Sequence, residues 1–304
     1  MDRVYDLIVI GGGPGGYTAA LYAARAGLSV AVLEKLSAGG QMALTHKIDN
    51  YPGFPEGIDG FELGEKMQAQ AEQFGAITEY VTVEKTNLQA TPKEIFTDSG
   101  VFYGRTVILA TGADPKKLGL PNEASLVGKG VAYCAACDGQ FYKGKTVAVI
   151  GGGNSAAADA LLLSRVAKKV YLVHRRDSLR ADKSSSDPLF KAENVEFVWN
   201  STVTELLQEG KLTGIRLQDG RVLPCDGVFI SIGRDPATGL VKGQLSLDDN
   251  GYVLADETTK TSAAGVFAVG DVRKKPLHQI VTAVADGAVA AYMAQISMDF
   301  FKNT

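Results

Sequence analysis

One structural pattern occurs twice in this chain of 304 residues. Each copy consists of an apolar, β-branched strand, a glycine turn, a helix of small residues and a second apolar strand. The turns are Gly11–Gly16 and Gly151–Ala156. In dinucleotide-binding domains, such a turn lets a pyrophosphate approach the backbone at the N-terminus of the helix. The repeat therefore predicts an α/β fold that contains two Rossmann-like dinucleotide-binding domains.

The positions within each turn have separate expected roles. The first glycine permits the tight turn itself. The second glycine, Gly13 or Gly153, lets the pyrophosphate come close to the backbone. The last residue of each turn is small, which allows the helix to pack closely on the sheet.

The two copies differ at the end of the second strand, where nucleotide specificity is set. The first copy has Glu34 there, and the second has His174, Arg175 and Arg176, with Arg180 shortly after. A carboxylate accepts hydrogen bonds from a ribose diol, whereas guanidinium groups match a 2′-phosphate. The first domain is therefore predicted to bind a nucleotide with free ribose hydroxyls, such as FAD, and the second to bind NADPH.

A CxxC motif, formed by Cys134 and Cys137 and followed by Asp138, lies just before the second glycine turn. Two thiols at this spacing beside a carboxylate suit dithiol–disulfide exchange. A zinc site is the alternative, but it needs four ligands, and the chain adds only Cys225 and three histidines. The motif therefore favours redox chemistry over a metal, with Asp138 as an acid/base candidate or a simple Asp-Gly turn residue.

The order of strands predicts how the two domains share the chain. A third buried strand, at 265–271, has no dinucleotide turn of its own and must return to one of the domains. We expect it to rejoin the first. Residues 1–113 and 243–304 then form the FAD-binding domain, and residues 114–242 form an inserted NADPH-binding domain that carries the dithiol.

Composition narrows the class of protein further. A net charge of −3 and a pI near 5.7 argue against nucleic acid or an anionic membrane as the main partner. The apolar stretch at the N-terminus is too short for a signal peptide, and no apolar run approaches the length of a membrane span. Three cysteines do not suit a disulfide-stapled secreted fold. We therefore expect a cytoplasmic protein.

Together these motifs closely resemble the low-molecular-weight thioredoxin reductases of bacteria, within the class II pyridine nucleotide-disulfide oxidoreductases. The resemblance covers the whole chain in order and is carried by Gly11–Gly16, Gly39–Gln41, Asp49–Gly53, Ala110–Gly112, Cys134–Gly139, Gly151–Ala156, His174–Arg176 and Gly270–Asp271. It implies an NADPH-dependent flavoprotein that reduces thioredoxin and forms a homodimer. It also implies that Cys137 is the sulfur near the flavin and that Cys134 attacks the disulfide of the protein partner.

The resemblance and the glycine turns give two sets of candidate cofactor contacts. The FAD set is Gly11, Gly13, Pro14, Gly15, Gly16, Glu34, Lys35, Gly40, Gln41, Asn50, Val83, Ala110, Thr111, Gly112, Asp271, Gln279 and Ile280. The NADPH set is Gly151, Gly153, Asn154, Ser155, His174, Arg175, Arg176, Arg180, Ile232 and Gly233. No metal ligand is predicted.

A dithiol in the NADPH domain must meet both the flavin and a protein partner. We expect the domains to alternate between two orientations, by rotation about linkers near 113–117 and 240–245. Three other functions stay open. The protein could reduce a glutaredoxin-like or peroxidase-system protein, although peroxidase-linked relatives carry an extra N-terminal dithiol domain. It could oxidise small dithiols with FAD and O2, although such relatives typically lack the arginine cluster. It could also be a flavin-bound redox sensor.

Overall fold

The computed structural model describes residues 3–45 and 47–302. The chain divides into two compact units. The first is built from the residues up to 114 together with those from 235 onward, and the second from residues 115–234. The second unit has a parallel sheet, and the first has a mixed sheet in which β3, β2, β1, β6 and β17 are parallel; this confirms the predicted α/β class with two Rossmann-like parts.

The elements follow in chain order. Residues 3–115 contain β1 (Val4–Ile10), α1 (Pro14–Arg25), β2 (Val30–Glu34), α2 (Gly60–Gln73), β3 (Ile77–Tyr80), β4 (Val83–Asn87), β5 (Lys93–Thr97), β6 (Gly100–Leu109) and β7 (Ala113–Pro115). Residues 116–236 contain α3 (Glu123–Leu126), β8 (Val131–Ala132), α4 (Ala135–Asp138), β9 (Thr146–Ile150), α5 (Asn154–Ser164), β10 (Lys169–Val173), α6 (Lys183–Phe190), β11 (Val195–Val198), β12 (Val203–Gln208), β13 (Leu212–Leu217), β14 (Val222–Pro224), β15 (Gly227–Ile230) and β16 (Arg234–Pro236). The last segment contains β17 (Val266–Ala268) and α7 (Ile280–Lys302). Short 3-10 helices span Gly40–Leu44, Gly139–Tyr142, Gly239–Val241 and Gly270–Val272.

The sheet of the first unit has the order β3-β2-β1-β6-β5-β4, and β17 pairs in parallel with β6. Alternation along β1 explains how it is covered on both faces. Leu7 and Val9 pack in the cluster that contains α1, whereas Ile8 and Ile10 pack in the cluster on the opposite face. Because β17 joins this sheet, the end of the chain belongs to the first unit.

The sheet of the second unit has the order β11-β10-β9-β15-β8. Val147 and Val149 of β9 pack with residues of α5, and Ala148 and Ile150 pack with the antiparallel sheet β12-β13-β14. In both units the glycine turn therefore lies at the carboxyl end of a central strand, which is the edge where parallel α/β sheets bind ligands.

The second boundary between the units lies at 234/235 rather than at the predicted 242/243, and the first at 114/115 rather than 113/114. Residues just after 235 are held by the first unit. Thr111 donates its hydroxyl to the backbone oxygen of Ala237 at 2.8 Å, and Thr86 donates to that of Leu240 at 2.7 Å. Val241 is fully buried in the core of the first unit. These contacts are long-range and leave no local mark in the sequence.

One helix departs from the expectation that no run approaches the length of a membrane span. Ile280–Met298 within α7 is long and apolar enough to cross a membrane by length and composition, with a mean hydropathy of 1.3. The core helices of soluble proteins pass the same test. Ala290, Ala291 and Ala294 on this helix are buried against α1 in the core of the first unit.

Candidate functional site

The CxxC motif closes as a disulfide at the start of a short helix. The sulfurs of Cys134 and Cys137 are bonded, with their Cα atoms 5.3 Å apart. Cys134 caps α4, and its Sγ accepts a hydrogen bond from the backbone N–H of Cys137 at 3.2 Å. A backbone donor aimed at this sulfur favours its thiolate form once the disulfide is opened.

Asp138 ends the same short helix, and its backbone N–H donates to the backbone oxygen of Cys134 at 3.0 Å. Burial of the carboxyl group raises the pKa of Asp138 to about 6. Such a group exchanges protons near neutral pH, as an acid/base catalyst must. The burial therefore favours the acid/base interpretation over a simple turn residue.

The structure adds a residue that pattern reading missed, Glu123. Its buried carboxylate accepts the hydroxyl of Tyr133 at 2.6 Å. It also accepts the backbone N–H groups of Leu118, Gly119 and Leu120. Glu123 thus fixes the residue directly before Cys134, and no sequence motif marked it because its partners are mostly backbone groups.

Gly11 and Gly13 of the first glycine turn have different surroundings. Gly11 has a φ of +106°, and a Cβ there would lie 2.5 Å from the backbone oxygen of Ala110. Gly13 has a φ of −77°, and a Cβ there would meet nothing within 4 Å. Neither backbone conformation nor packing therefore requires glycine at 13. The open space fits a pyrophosphate lying against the backbone at the start of α1.

Glu34 holds this turn from the neighbouring strand. Its Oε2 accepts a hydrogen bond from the N–H of Gly12 at 2.6 Å, and its Oε1 accepts one from the N–H of Lys35 at 2.8 Å. The N–H of Val81 donates to the backbone oxygen of Glu34 at 2.9 Å, which brings Val83 at the start of β4 to the same edge. Oε1 also accepts a hydrogen bond from the N–H of Leu36 at 3.1 Å, so Oε2 is the oxygen that keeps acceptor capacity for a ribose hydroxyl.

Two predicted FAD contacts from distant parts of the chain meet. Nδ2 of Asn50 donates to Oε1 of Gln279 at 3.0 Å, directly before α7 begins at Ile280. Nε2 of Gln41 donates to Oδ1 of Asp114 at 2.6 Å.

The other predicted FAD positions lie around the first glycine turn and the ends of nearby elements. A Cβ on Gly40 would lie 3.5 Å from Cα of Gly13, and one on Gly270, before Asp271, would lie 3.5 Å from Cβ of Ala283 in α7. The remaining members begin α1 or follow β6: Pro14, Gly15, Gly16, Ala110, Thr111 and Gly112.

The second glycine turn repeats the geometry of the first. Gly151 has a φ of +151°, and a Cβ there would collide with the backbone oxygen of Ser231. Gly153 has a φ of −96°, and a Cβ there would meet nothing within 4 Å. Asn154 and Asp182 exchange two hydrogen bonds of 2.8 Å, so Asn154 has a structural role in addition to any contact with a nucleotide. Ser155 is exposed.

His174 and the arginines occupy different environments. His174 is buried, lies against Gly152, and burial together with the nearby Arg180, Arg175 and Arg176 lowers its pKa. Within the described chain no partner reaches its Nε2. The three arginines are exposed, and the N–H of Arg180 donates to the backbone oxygen of Gly152 at 2.7 Å. The arginines, rather than a neutral imidazole, therefore supply the positive charge at this edge.

Ile232 and Gly233 follow β15 at the same edge of the second sheet, and Ile232 is 39% exposed. The preceding residue, Ser231, donates its hydroxyl to the half-buried Asp159 of α5 at 2.5 Å. Burial raises the pKa of Asp159. This contact fixes the loop after β15 against the helix of the glycine turn.

The described residues include no group of three or more His, Cys, Asp or Glu side chains that could hold a metal ion. His46 lies outside the described residues. Cys225 is buried, and burial raises the pKa of its thiol to about 12. It is therefore a core residue and not a reactive thiolate.

Comparison with known proteins relates this geometry to a family. The family model of the pyridine nucleotide-disulphide oxidoreductases matches residues 5–287. A thioredoxin reductase of Listeria monocytogenes is 44% identical to this chain, and the alignment covers 100% of this chain and 97% of the Listeria protein. The crystal structure of the Streptococcus pyogenes thioredoxin reductase is also similar, with 42% identity and a TM-score of 0.90. The superposition covers 98% of this chain and 99% of the Streptococcus chain. A Lactococcus lactis thioredoxin reductase in its FR conformation has 39% identity and a TM-score of 0.67, with 96% and 98% coverage.

Proposed function

The chain belongs to the pyridine nucleotide-disulphide oxidoreductase family, and we propose that it is an FAD-containing, NADPH-dependent thioredoxin reductase. The observation that carries the proposal is the closed Cys134–Cys137 disulfide beside an acid, Asp138, whose pKa lies near 6. The same chain presents two open glycine turns of matching geometry. A redox dithiol and two dinucleotide sites are the parts that such a reductase needs.

We assign the first unit to FAD and the second to NADPH. The free space above Gly13, the carboxylate of Glu34 and the Asn50–Gln279 pair support FAD in the first unit. The space above Gly153 and the three exposed arginines support a nucleotide with a 2′-phosphate in the second. When bound, the two cofactors supply two-electron transfer from NADPH to the disulfide.

The residues of the chain then perform the exchange with thioredoxin. The thiolate of Cys134 attacks the disulfide of thioredoxin, forms a mixed disulfide and releases one thioredoxin sulfur, which takes a proton. Cys137 attacks Sγ of Cys134, closes the disulfide and releases the second thioredoxin sulfur, which is also protonated. Asp138 donates or accepts protons at these sulfurs. Thioredoxin gains two electrons and two protons, and the reductase disulfide is restored.

Alternation between two domain orientations is part of this proposal. Only two crossings, near 114 and 234, join the units, and β7 and β16 at these crossings form a two-stranded sheet. Because so few chain connections join them, the two units can rotate as rigid bodies. A covalent crosslink between the units should stop thioredoxin turnover, and full turnover in the crosslinked protein would exclude the rotation.

We also propose a cytoplasmic homodimer with no membrane or nucleic-acid partner. The outer side of α7 and the neighbouring α1 expose apolar side chains, among them Tyr22 at 50% and Tyr292 at 63%. A second copy of the chain would cover such a surface. Sedimentation of a monomer at micromolar concentration, or recovery with membranes, would contradict this assignment.

The direct test is NADPH oxidation by the purified protein with thioredoxin as the disulfide substrate. We expect a flavin absorption spectrum, oxidation of NADPH that depends on thioredoxin, and slower oxidation of NADH. Turnover with a glutaredoxin-like or peroxidase-system protein but not with thioredoxin would favour the alternative reductase. O2-dependent oxidation of a small dithiol would favour an oxidase, and binding without turnover would favour a sensor.

Alanine at the two open glycine positions should separate the cofactor sites. We expect Gly13→Ala to weaken FAD binding and Gly153→Ala to weaken NADPH binding, each by about 100-fold or about 2.7 kcal/mol. The melting temperature of the apoprotein should not change, because neither Cβ meets an atom within 4 Å. Gly239→Ala is the matched control, since its Cβ would also meet nothing. Unchanged cofactor affinity in both variants would refute the two turn assignments.

A further inference from the structure

A buried group of two cations and one carboxylate lies in the first unit, and we call Arg273, Lys275 and Asp286 the Asp286 cluster. The guanidinium of Arg273 donates to Oδ1 of Asp286 at 2.9 Å, and the ammonium of Lys275 donates to Oδ2 at 3.0 Å. The side chains of Arg273, Lys275 and Asp286 are only 10%, 7% and 14% exposed. Two positive charges therefore share one negative charge away from bulk water.

Burial of an unbalanced charge is unfavourable unless other groups compensate it. The neutral backbone oxygens of Ala255 and Asp256 accept from Arg273, and the hydroxyl of Thr282 accepts from Lys275. In the part of the chain that is described, Nε of Arg273 has no acceptor. The cluster thus keeps one excess positive charge that a nearby anion would stabilise.

The cluster contacts segments to which the sequence assigns FAD. Oδ2 of Asp286 accepts the N–H of Gly270 at 3.0 Å, directly before the candidate contact Asp271. Thr282, which accepts from Lys275, also accepts the N–H of Gln279 at 3.2 Å.

The glycine turn itself lies beside the same stretch of α7. A Cβ on Gly287, the residue after Asp286, would collide with the backbone oxygen of Gly15. A Cβ on Gly15 would in turn lie 3.1 Å from the backbone oxygen of Ala283. The Asp286 cluster therefore adjoins both the pyrophosphate turn and the N-terminus of α7.

We propose that the Asp286 cluster is an electrostatic device of the FAD site, which strengthens FAD binding and raises the flavin reduction potential. This inference rests on the proposed FAD-containing function. FAD carries a negative pyrophosphate, and reduction adds electrons to its ring. A fixed positive charge stabilises both, more strongly in a buried site than in water. Lys275 gives the cluster its net charge, and Asp286 positions both cations and the Gly270 turn.

Two adjacent lysines provide a matched experiment. Lys275 is buried in the cluster, whereas Lys274 is exposed. We expect Lys275→Met to weaken FAD binding about tenfold, measured by equilibrium dialysis of the flavoprotein. We expect its flavin midpoint potential to fall by about 30 mV, which is a tenfold change for a two-electron couple. Lys274→Met should leave both values unchanged, and Lys275→Arg should retain wild-type values.

The sign of the potential shift separates an electrostatic role from a purely structural one. Asp286→Asn removes the negative charge at nearly constant shape, so the potential should rise, opposite to Lys275→Met. A potential shift of the same sign in both variants, or equal effects of Lys275→Met and Lys274→Met, would overturn the proposal. If Asp286→Asn does not fold, loss of the wild-type potential in Lys275→Arg would overturn it too. A purified protein without FAD would instead contradict the proposed function itself.

Discussion

Replacement of Cys134 by serine should abolish the reduction of thioredoxin while the protein still folds and binds its cofactors. The loss should be at least about 10³-fold in kcat, because the attacking sulfur is removed altogether. NADPH oxidation coupled to thioredoxin is the measurement. Cys225→Ala is the matched control, since this thiol is buried with a pKa of about 12 and should not contribute to turnover.

The roles of the two sulfurs predict a second difference. Cys137→Ser should accumulate a covalent adduct with thioredoxin, because Cys134 can attack and no sulfur remains to resolve the mixed disulfide. Non-reducing electrophoresis after incubation with oxidised thioredoxin detects this adduct. An adduct with Cys134→Ser but not with Cys137→Ser would show that Cys137 attacks thioredoxin and that Cys134 resolves the mixed disulfide. Wild-type turnover in Cys134→Ser would refute the dithiol mechanism.

Replacement of Asp138 by asparagine should slow opening of the Cys134–Cys137 disulfide by about 10²- to 10⁴-fold, the range for loss of a general acid. Burial raises the pKa of Asp138 to about 6, so its protonated fraction falls as the pH rises through 6. The wild-type rate of disulfide opening should therefore decline above pH 6. Rapid quenching with a thiol-alkylating reagent after addition of NADPH measures this rate.

The asparagine variant should lose this pH dependence as well as the rate. Asp138→Glu retains a carboxyl group and should restore part of the rate. Asp187→Asn removes an exposed acid of the same unit and should behave as wild type. An unchanged pH profile in Asp138→Asn would return Asp138 to the status of a turn residue.

The larger part of the fold was predictable because it rests on local repetition. Each glycine turn lies between a buried strand and a helix of small residues. This local pattern predicts both the conformation of the turn and its position at the edge of a sheet. The boundary at 234/235 was not predictable in the same way, since hydrogen bonds from Thr86 and Thr111 decide where residues 237–241 belong. Glu123 was missed for a different reason: its partners are nearby backbone N–H groups, which no motif records.

The amino-acid sequence alone reveals the chemical groups of the protein: two dinucleotide turns, a dithiol two residues apart, an adjacent acid and an arginine cluster. Each of these patterns involves residues close together in the chain, so it can be recognised from the amino-acid sequence without the structure. The folded structure shows which glycines leave space for a ligand, that burial raises the pKa of Asp138 to about 6, and that Arg273 and Lys275 share one buried carboxylate. Burial and charge balance depend on residues far apart in the chain, and only folding brings these together.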